Sequence, residues 1–210
     1  MSETQAEERL TVYSDYVCPF CYLGRKSLDR YQETREAELD VDWHPFDLRS
    51  QQRGPDGEID HSVDNGKDED YYAQARENVQ RLQEEYDVEM AQEIATDVDS
   101  LNAQLASIYV KEEYPEQWRT FDEAIFAALW QDGRDIGDED VLADLAEGSG
   151  LDPEAVRAAL DDDDLREHLN EQFTEAQRHG VTGVPTFAYE GYAARGAVPP
   201  EQLERLVEGT

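Results

Sequence analysis

β-Prone texture is confined to the two ends of this chain, and the residues between them are patterned as helix. Leu10-Thr11-Val12-Tyr13-Ser14 is a short β-prone run that stops at Asp15. From Cys18 to about Ala37 the pattern is helical, with Leu23, Leu28 and Tyr31 as inward positions. Leu39, Val41, Trp43 and Pro45 then alternate with polar residues, which predicts a second strand ending near Leu48. A crossover of this length implies a parallel pair and a right-handed unit. At the far end, Thr186-Phe187-Ala188-Tyr189 and Tyr192-Ala193-Ala194-Arg195 flank the tight-turn pair Glu190-Gly191. Pro199-Pro200 opens a final helix through Leu203, Leu206 and Val207.

Between these ends, residues 49–68 are polar, rich in Gly and Asp and without periodicity, a loop long enough to suggest function or mobility. Helical patterning follows over residues 65–175. Tyr72, Val79, Leu82 and Tyr86 share one face, and Leu101, Leu105, Ile108 and Tyr109 another. Phe121, Ile125, Ala128 and Leu129 form a clear amphipathic stripe. Asp152-Pro153 reads as an N-cap with Pro at the first helical position. Leu165, Leu169, Phe173 and Ala176 carry a further helix that Gly180 ends. With no repeat or low-complexity linker, residues 1–210 read as a single domain, a core of 10–48 and 180–208 with a helical insertion nested at 65–175.

The two cysteines, Cys18 and Cys21, are three residues apart and fall where the first strand gives way to a helix. A thiolate is the reactive form of cysteine, and a helix N-terminus stabilises it through unpaired N–H groups and the macrodipole. Pro19 loses nothing there by lacking an N–H. The i, i+3 spacing brings one sulfur within reach of the other. Cys18 is therefore the expected attacking thiol, more exposed and of lower pKa, and Cys21 the buried resolving one. A metal knuckle needs about four ligands. His44, His61, His168 and His179 are not spaced as a pair, so no metal is expected.

Ser14-Asp15-Tyr16-Val17-Cys18-Pro19-Phe20-Cys21-Tyr22-Leu23-Gly24 resembles the active-site segment of the DsbA superfamily, in particular its FrnE-like branch. Gly180-Val181-Thr182-Gly183-Val184-Pro185-Thr186-Phe187 resembles that family's cis-proline segment, and Gly133-Arg134-Asp135-Ile136-Gly137-Asp138 its insertion domain. The resemblance spans about residues 10 to 205. It implies an α/β thioredoxin-like fold: a four-stranded mixed sheet with flanking helices and a nested all-α insertion. It implies thiol–disulfide exchange through a redox-active Cys18–Cys21 disulfide, with Pro185 cis and facing Cys18. Pro19, Phe20, Val184 and Pro185 would bind the substrate, the Val184 backbone pairing with an extended strand. Phe20 stands where DsbA carries His, so the Cys18 pKa is expected between those of DsbA and thioredoxin, nearer thioredoxin. The resemblance implies disulfide- or dithiol-bearing protein or small-molecule partners and no cofactor beyond the cysteine pair, with a low-molecular-weight thiol as a possible co-substrate. Two other readings share this fold. One is a glutathione-dependent isomerase of the 2-hydroxychromene-2-carboxylate type, which usually has Ser where Cys18 stands and lacks the second Cys. The other is a redox-idle chaperone or binding module.

Met1 to Arg9 is polar and acidic, and no stretch approaches the roughly 20 apolar residues of a membrane span, which predicts a cytoplasmic protein. The 51 acidic against 18 basic residues give a formal charge of −33. Such a surface repels nucleic acid and anionic membranes, so neither is an expected partner. Only Lys26, Lys67 and Lys111 are lysines, the rest of the basic set being Arg. This acid-rich, Lys-poor composition resembles that of proteins from salt-loving archaea. Molar salt shortens the Debye length to about 3 Å and removes most self-repulsion. The melting temperature followed by circular dichroism should accordingly rise steeply from about 0.1 M to about 2 M KCl. Equal stability at both would refute a halophilic origin.

Overall fold

The computed structural model describes residues 9–55 and 57–209. Strand β1 (Arg9–Ser14) leads into helix α1 (Pro19–Thr34) and strand β2 (Asp40–Pro45). Six helices follow: α2 (Glu69–Tyr86), α3 (Leu101–Glu113), α4 (Pro115–Trp130), α5 (Glu139–Gly148), α6 (Pro153–Leu160) and α7 (Asp163–Arg178). Strands β3 (Thr186–Tyr189) and β4 (Tyr192–Arg195) and helix α8 (Pro200–Glu208) close the chain. The strands form one mixed sheet in the order β2-β1-β3-β4, a thioredoxin-like arrangement with the helical block inserted between β2 and β3.

β1 runs parallel to β2, from Arg9 opposite Asp40 to Ser14 opposite Pro45, and antiparallel to β3, with Tyr13 opposite Thr186. That pairing carries the start of β3 to the end of β1. The β3–β4 turn places Glu190 and Gly191 at φ 47° and 85°, the pair of positive values that a two-residue hairpin of primed type requires. Alternation of side chains sorts the sheet faces. Leu10 and Val12 pack with Leu28 and Tyr31 of α1 and Leu203 of α8, while Tyr13 on the other face meets Ala176 of α7. Asp138, Asp152 and Asp162 each cap their helix by accepting a first-turn N–H.

Two boundaries differ from those expected. α1 ends at Thr34 rather than near Ala37, with the Arg35 N–H turned back to the Gln32 carbonyl. β2 stops at Pro45 rather than Leu48, because the Leu48 N–H leaves the ladder and donates to the Asp15 carboxylate at 2.8 Å. The polar loop is anchored: Arg53 pairs with Asp47 and Asp99, both at 2.9 Å, and bridges to Ile59.

The helical block joins the sheet through a buried polar cluster. Asp122 of α4 accepts a 2.5 Å hydrogen bond from the Tyr16 hydroxyl and forms a close ion pair with Arg25 of α1; both charged side chains are buried. Arg25 also lies 4.7 Å above the centre of the Trp43 ring, a cation–π contact. Trp130 donates its indole N–H to the Tyr16 carbonyl at 2.8 Å, so α4 holds Tyr16 at both ends. Removing one partner of a buried pair leaves a charge without compensation, which costs about 3–5 kcal/mol. Asp122→Ala should lose stability on that scale in urea denaturation, with Asp122→Asn, which keeps an acceptor for Tyr16, in between. A loss below about 1 kcal/mol, typical of a surface pair, would show that the cluster carries no weight.

Candidate active site

Cys18 is the N-cap residue of α1, in extended conformation, with Pro19 at the first helical position. Its carbonyl accepts from the N–H of Cys21 at 3.0 Å, so the helix begins with the residues between the two sulfurs. No acidic residue occupies the first turn of α1. Positive backbone charge at that end therefore acts on Cys18 without a carboxylate in the helix's own first turn.

The Val184–Pro185 peptide bond is cis. The Val184 carbonyl accepts from the Cys18 thiol at 3.5 Å, which puts this segment against the sulfur. The Val184 carbonyl, expected to face a substrate strand, here accepts from the Cys18 thiol. Pro185 is buried against α1, where a Cβ on Gly24 would stand 3.2 Å from the Pro185 ring. The absence of a side chain at Gly24 lets the two segments approach.

Both cysteines are free and buried, Cys18 4% and Cys21 1% exposed. An exposed Cys18 was expected. Instead Tyr16, Val17 and both cysteines belong to the same apolar cluster as Phe126 and Trp130 of α4, and Phe20 and Val184 pack onto it. Burial pushes the Cys21 thiol well above its ordinary pKa, with its hydrogen bond and charge interaction with Cys18 acting in the same direction. The Asp15 backbone N–H and the Ser14 hydroxyl oppose them. Pro19 is buried and Phe20 half-buried against α2.

Two neighbours of the site had no sequence signal. Tyr71, in the first turn of α2, is 49% exposed and close enough to Cys18 for the thiolate to help raise its pKa, burial being the larger cause. Asp15, quoted in the motif but given no role, is buried beneath the turn. Its carboxylate accepts from the N–H groups of Val17, at 3.2 Å, and Leu48. Among the described residues, no group of three His, Cys, Asp or Glu side chains is placed to hold a metal ion. Among them, too, no helix is long and apolar enough to cross a membrane.

The model of the DSBA-like thioredoxin domain matches residues 9–208. The chain belongs to that family. This DSBA-like protein is 29% identical over 202 residues to the uncharacterized protein YwbO of Bacillus subtilis, covering 94% of each chain. Its fold is similar to that of a probable DsbA oxidoreductase from Streptomyces coelicolor, with a TM-score of 0.77, 23% identity and coverage of 96% and 90% of the two chains. It is also similar to a 2-hydroxychromene-2-carboxylate isomerase, with a TM-score of 0.75, 20% identity and coverage of 96% and 93%. A third similar structure is the cytosolic disulfide reductase DsbM of Pseudomonas aeruginosa with glutathione, at a TM-score of 0.62, 20% identity and coverage of 95% and 93%. At these identities the structures share the fold, and the family rests on the matched model.

Burial raises the Asp15 carboxyl from its ordinary value to about 6, against the hydrogen bonds from Ser100, Leu48 and Val17. A carboxyl whose pKa is raised on folding adds stability below its unfolded pKa and loses it as pH climbs through the folded one. The wild type should therefore gain stability relative to Asp15→Asn as pH falls from about 7 to about 4, by roughly 2–3 kcal/mol. Urea denaturation of both proteins across that range measures it, and a pH-independent difference would refute the shift.

Proposed function

We propose that this DSBA-like protein is a thiol–disulfide oxidoreductase acting on protein or small-molecule disulfides. The observation that carries this reading is the Cys18 sulfur at the N-cap of α1, hydrogen-bonded to the carbonyl preceding Pro185, with Cys21 one turn on. The Cys18 thiolate attacks one sulfur of the client disulfide and expels the other as a thiolate, leaving a mixed disulfide. Cys21 then gives up its proton and attacks the Cys18 sulfur, which frees the second client thiolate and closes the Cys18–Cys21 disulfide. The client gains two electrons and, once its thiolates are protonated, two protons. Two equivalents of a low-molecular-weight thiol would return the disulfide to the dithiol, the first forming a mixed disulfide and the second releasing it as the small-molecule disulfide. DsbM, a similar fold, is described with glutathione, which supports such a co-substrate.

The burial of Cys21 favours this division of roles. A thiol held well above its ordinary pKa is a poor first nucleophile, and it acts once the mixed disulfide has been delivered to the neighbouring sulfur. Pro19, Phe20, Val184 and Pro185 are proposed to shape the substrate contact, with Tyr71 at its outer edge. We place the protein in the cytoplasm and in the FrnE-like branch, following the sequence motifs. The cysteine pair favours redox chemistry over the isomerase reading.

Cys21→Ser should retain attack and accumulate mixed disulfides, whereas Cys18→Ser should neither attack nor trap. Iodoacetamide labelling of the reduced protein near neutral pH, with client trapping in each variant, is the test. Faster alkylation of Cys21, or trapping by Cys18→Ser, would overturn the assignment. Equal slow labelling of both would favour the redox-idle binding module.

A further inference from the structure

A cavity of about 330 Å³ lies beside the edge strand β2, between α3, α4 and α7. Four of its walls are rings, from Tyr16, Trp43, Trp118 and Phe126. Two buried side-chain polar atoms on its wall, His44 Nε2 and Gln104 Oε1, lack a hydrogen-bond partner among the described residues, while Ser14 Oγ, also on the wall, has the Cys21 thiol beside it. Leaving a buried polar atom without a partner is destabilising, so their occurrence together in an aromatic-walled space points to a ligand that answers them.

The chemistry of those atoms is fixed by their other bonds. Gln104 is 3% exposed, and its amide nitrogen donates to the Phe46 carbonyl and to Ser100 Oγ, both at 3.1 Å. Its oxygen is therefore the group left, and it can only accept. His44 is 8% exposed, and its Nδ1 lies 3.0 Å from the Pro45 carbonyl, which requires the proton on Nδ1 and leaves Nε2 an acceptor in the neutral ring. Glu175 stands 3.7 Å from Nε2, outside hydrogen-bond range. Ser14 can donate or accept. Asp122, also on the wall, is already engaged by Arg25 and Tyr16.

We propose that this cavity binds a small neutral aromatic molecule bearing hydroxyl groups. Its ring lies among the aromatic side chains, and its O–H groups donate to Gln104 Oε1 and His44 Nε2. A cavity of about 150 Å³ accepts benzene, so this one has room for a substituted ring. A carboxylate of the same size is disfavoured, since it would bring acceptors to Gln104 Oε1 and His44 Nε2, and the lysine on the wall, Lys111, is already engaged by Asp42 and the Trp43 carbonyl. The proposal is independent of the redox reading, for no step of it uses a cysteine.

Resorcinol and benzoate are the probes, resorcinol because it does not readily form a thiol-reactive quinone. Titration is followed by tryptophan fluorescence and calorimetry in salt that keeps the protein folded. Resorcinol should bind saturably at one site, and benzoate at least about tenfold more weakly. Ile108→Trp, which fills the cavity with an apolar group, should weaken resorcinol about tenfold or more, and Cys18→Ser should leave it unchanged. Absence of saturable resorcinol binding, meaning a cavity that serves only water, overturns the proposal. So does benzoate binding as tightly, or unaltered affinity in a folded Ile108→Trp protein. If that variant does not fold, a crystal structure of the wild type with resorcinol decides: density beside Trp43 and Gln104 supports the proposal, and density elsewhere overturns it.

Discussion

A buried carboxylate on α4 ties the helical block to the sheet at the turn that carries the cysteines. Asp122 accepts from Tyr16, two residues before Cys18, and pairs with Arg25, four residues after Cys21. The start of α1 is thus clamped on both sides of the CxxC segment by one group from the other half of the molecule. Ion pairs of this kind contribute little net stability over an apolar core of the same volume, but they penalise wrong arrangements heavily. The clamp accounts for the burial of both sulfurs. Once Tyr16 is drawn onto α4 by its hydroxyl and its carbonyl, Val17 and Cys18 are carried into the same apolar cluster as Phe126 and Trp130.

The charge distribution has an exception at the place where it matters. In a chain of formal charge −33, helices α2, α4, α5, α6, α7 and α8 all carry an acidic residue in the first turn; α1 and α3 do not, and of these two only α1 has a cysteine at its N-cap. Those carboxylates offset the positive end of each dipole and stabilise the helix locally. At α1 the same end is left to the Cys18 sulfur. An Asp or Glu there would raise the cost of forming a thiolate while adding a few tenths of a kcal/mol to the helix. Apart from Asp15, buried beneath the turn and hydrogen-bonded within it, the acidity stops short of the start of α1.

The sheet and the cysteine turn were legible because their signals are local. Glu190-Gly191 announces its hairpin through the glycine, which takes positive φ without strain, and Glu190 is carried into that region beside it. The strand-to-helix change at Asp15 places Cys18 at an N-cap without knowledge of the rest, and the apolar stripe of α4 is buried as its periodicity predicts. The burial of Cys18 was not legible, because its cover comes from α4, more than a hundred residues later, and from the segment around Val184. Nor was the pairing of Arg25 with Asp122, two charges 97 positions apart in a chain full of charges. Tyr71 reaches the neighbourhood of Cys18 only through the path of an aperiodic loop, whose anchoring by Arg53 to Asp47 and Asp99 no pattern foretells.

Asp15 shows how the local and the long-range parts meet. Its ionised form is opposed by burial, and replacing it with an apolar residue would remove that penalty. Yet the N–H groups of Val17 and Leu48 both point at it, one in the turn before Cys18 and one just past the end of β2. Neither belongs to a strand or helix, so without the carboxylate two buried or half-buried donors would be left unpaired, at a cost comparable to the one removed. What the charge supplies beyond that balance is geometry. It ends β2 where it does, ties that end to the turn, and thereby sets the position of α1 relative to the segment carrying Pro185.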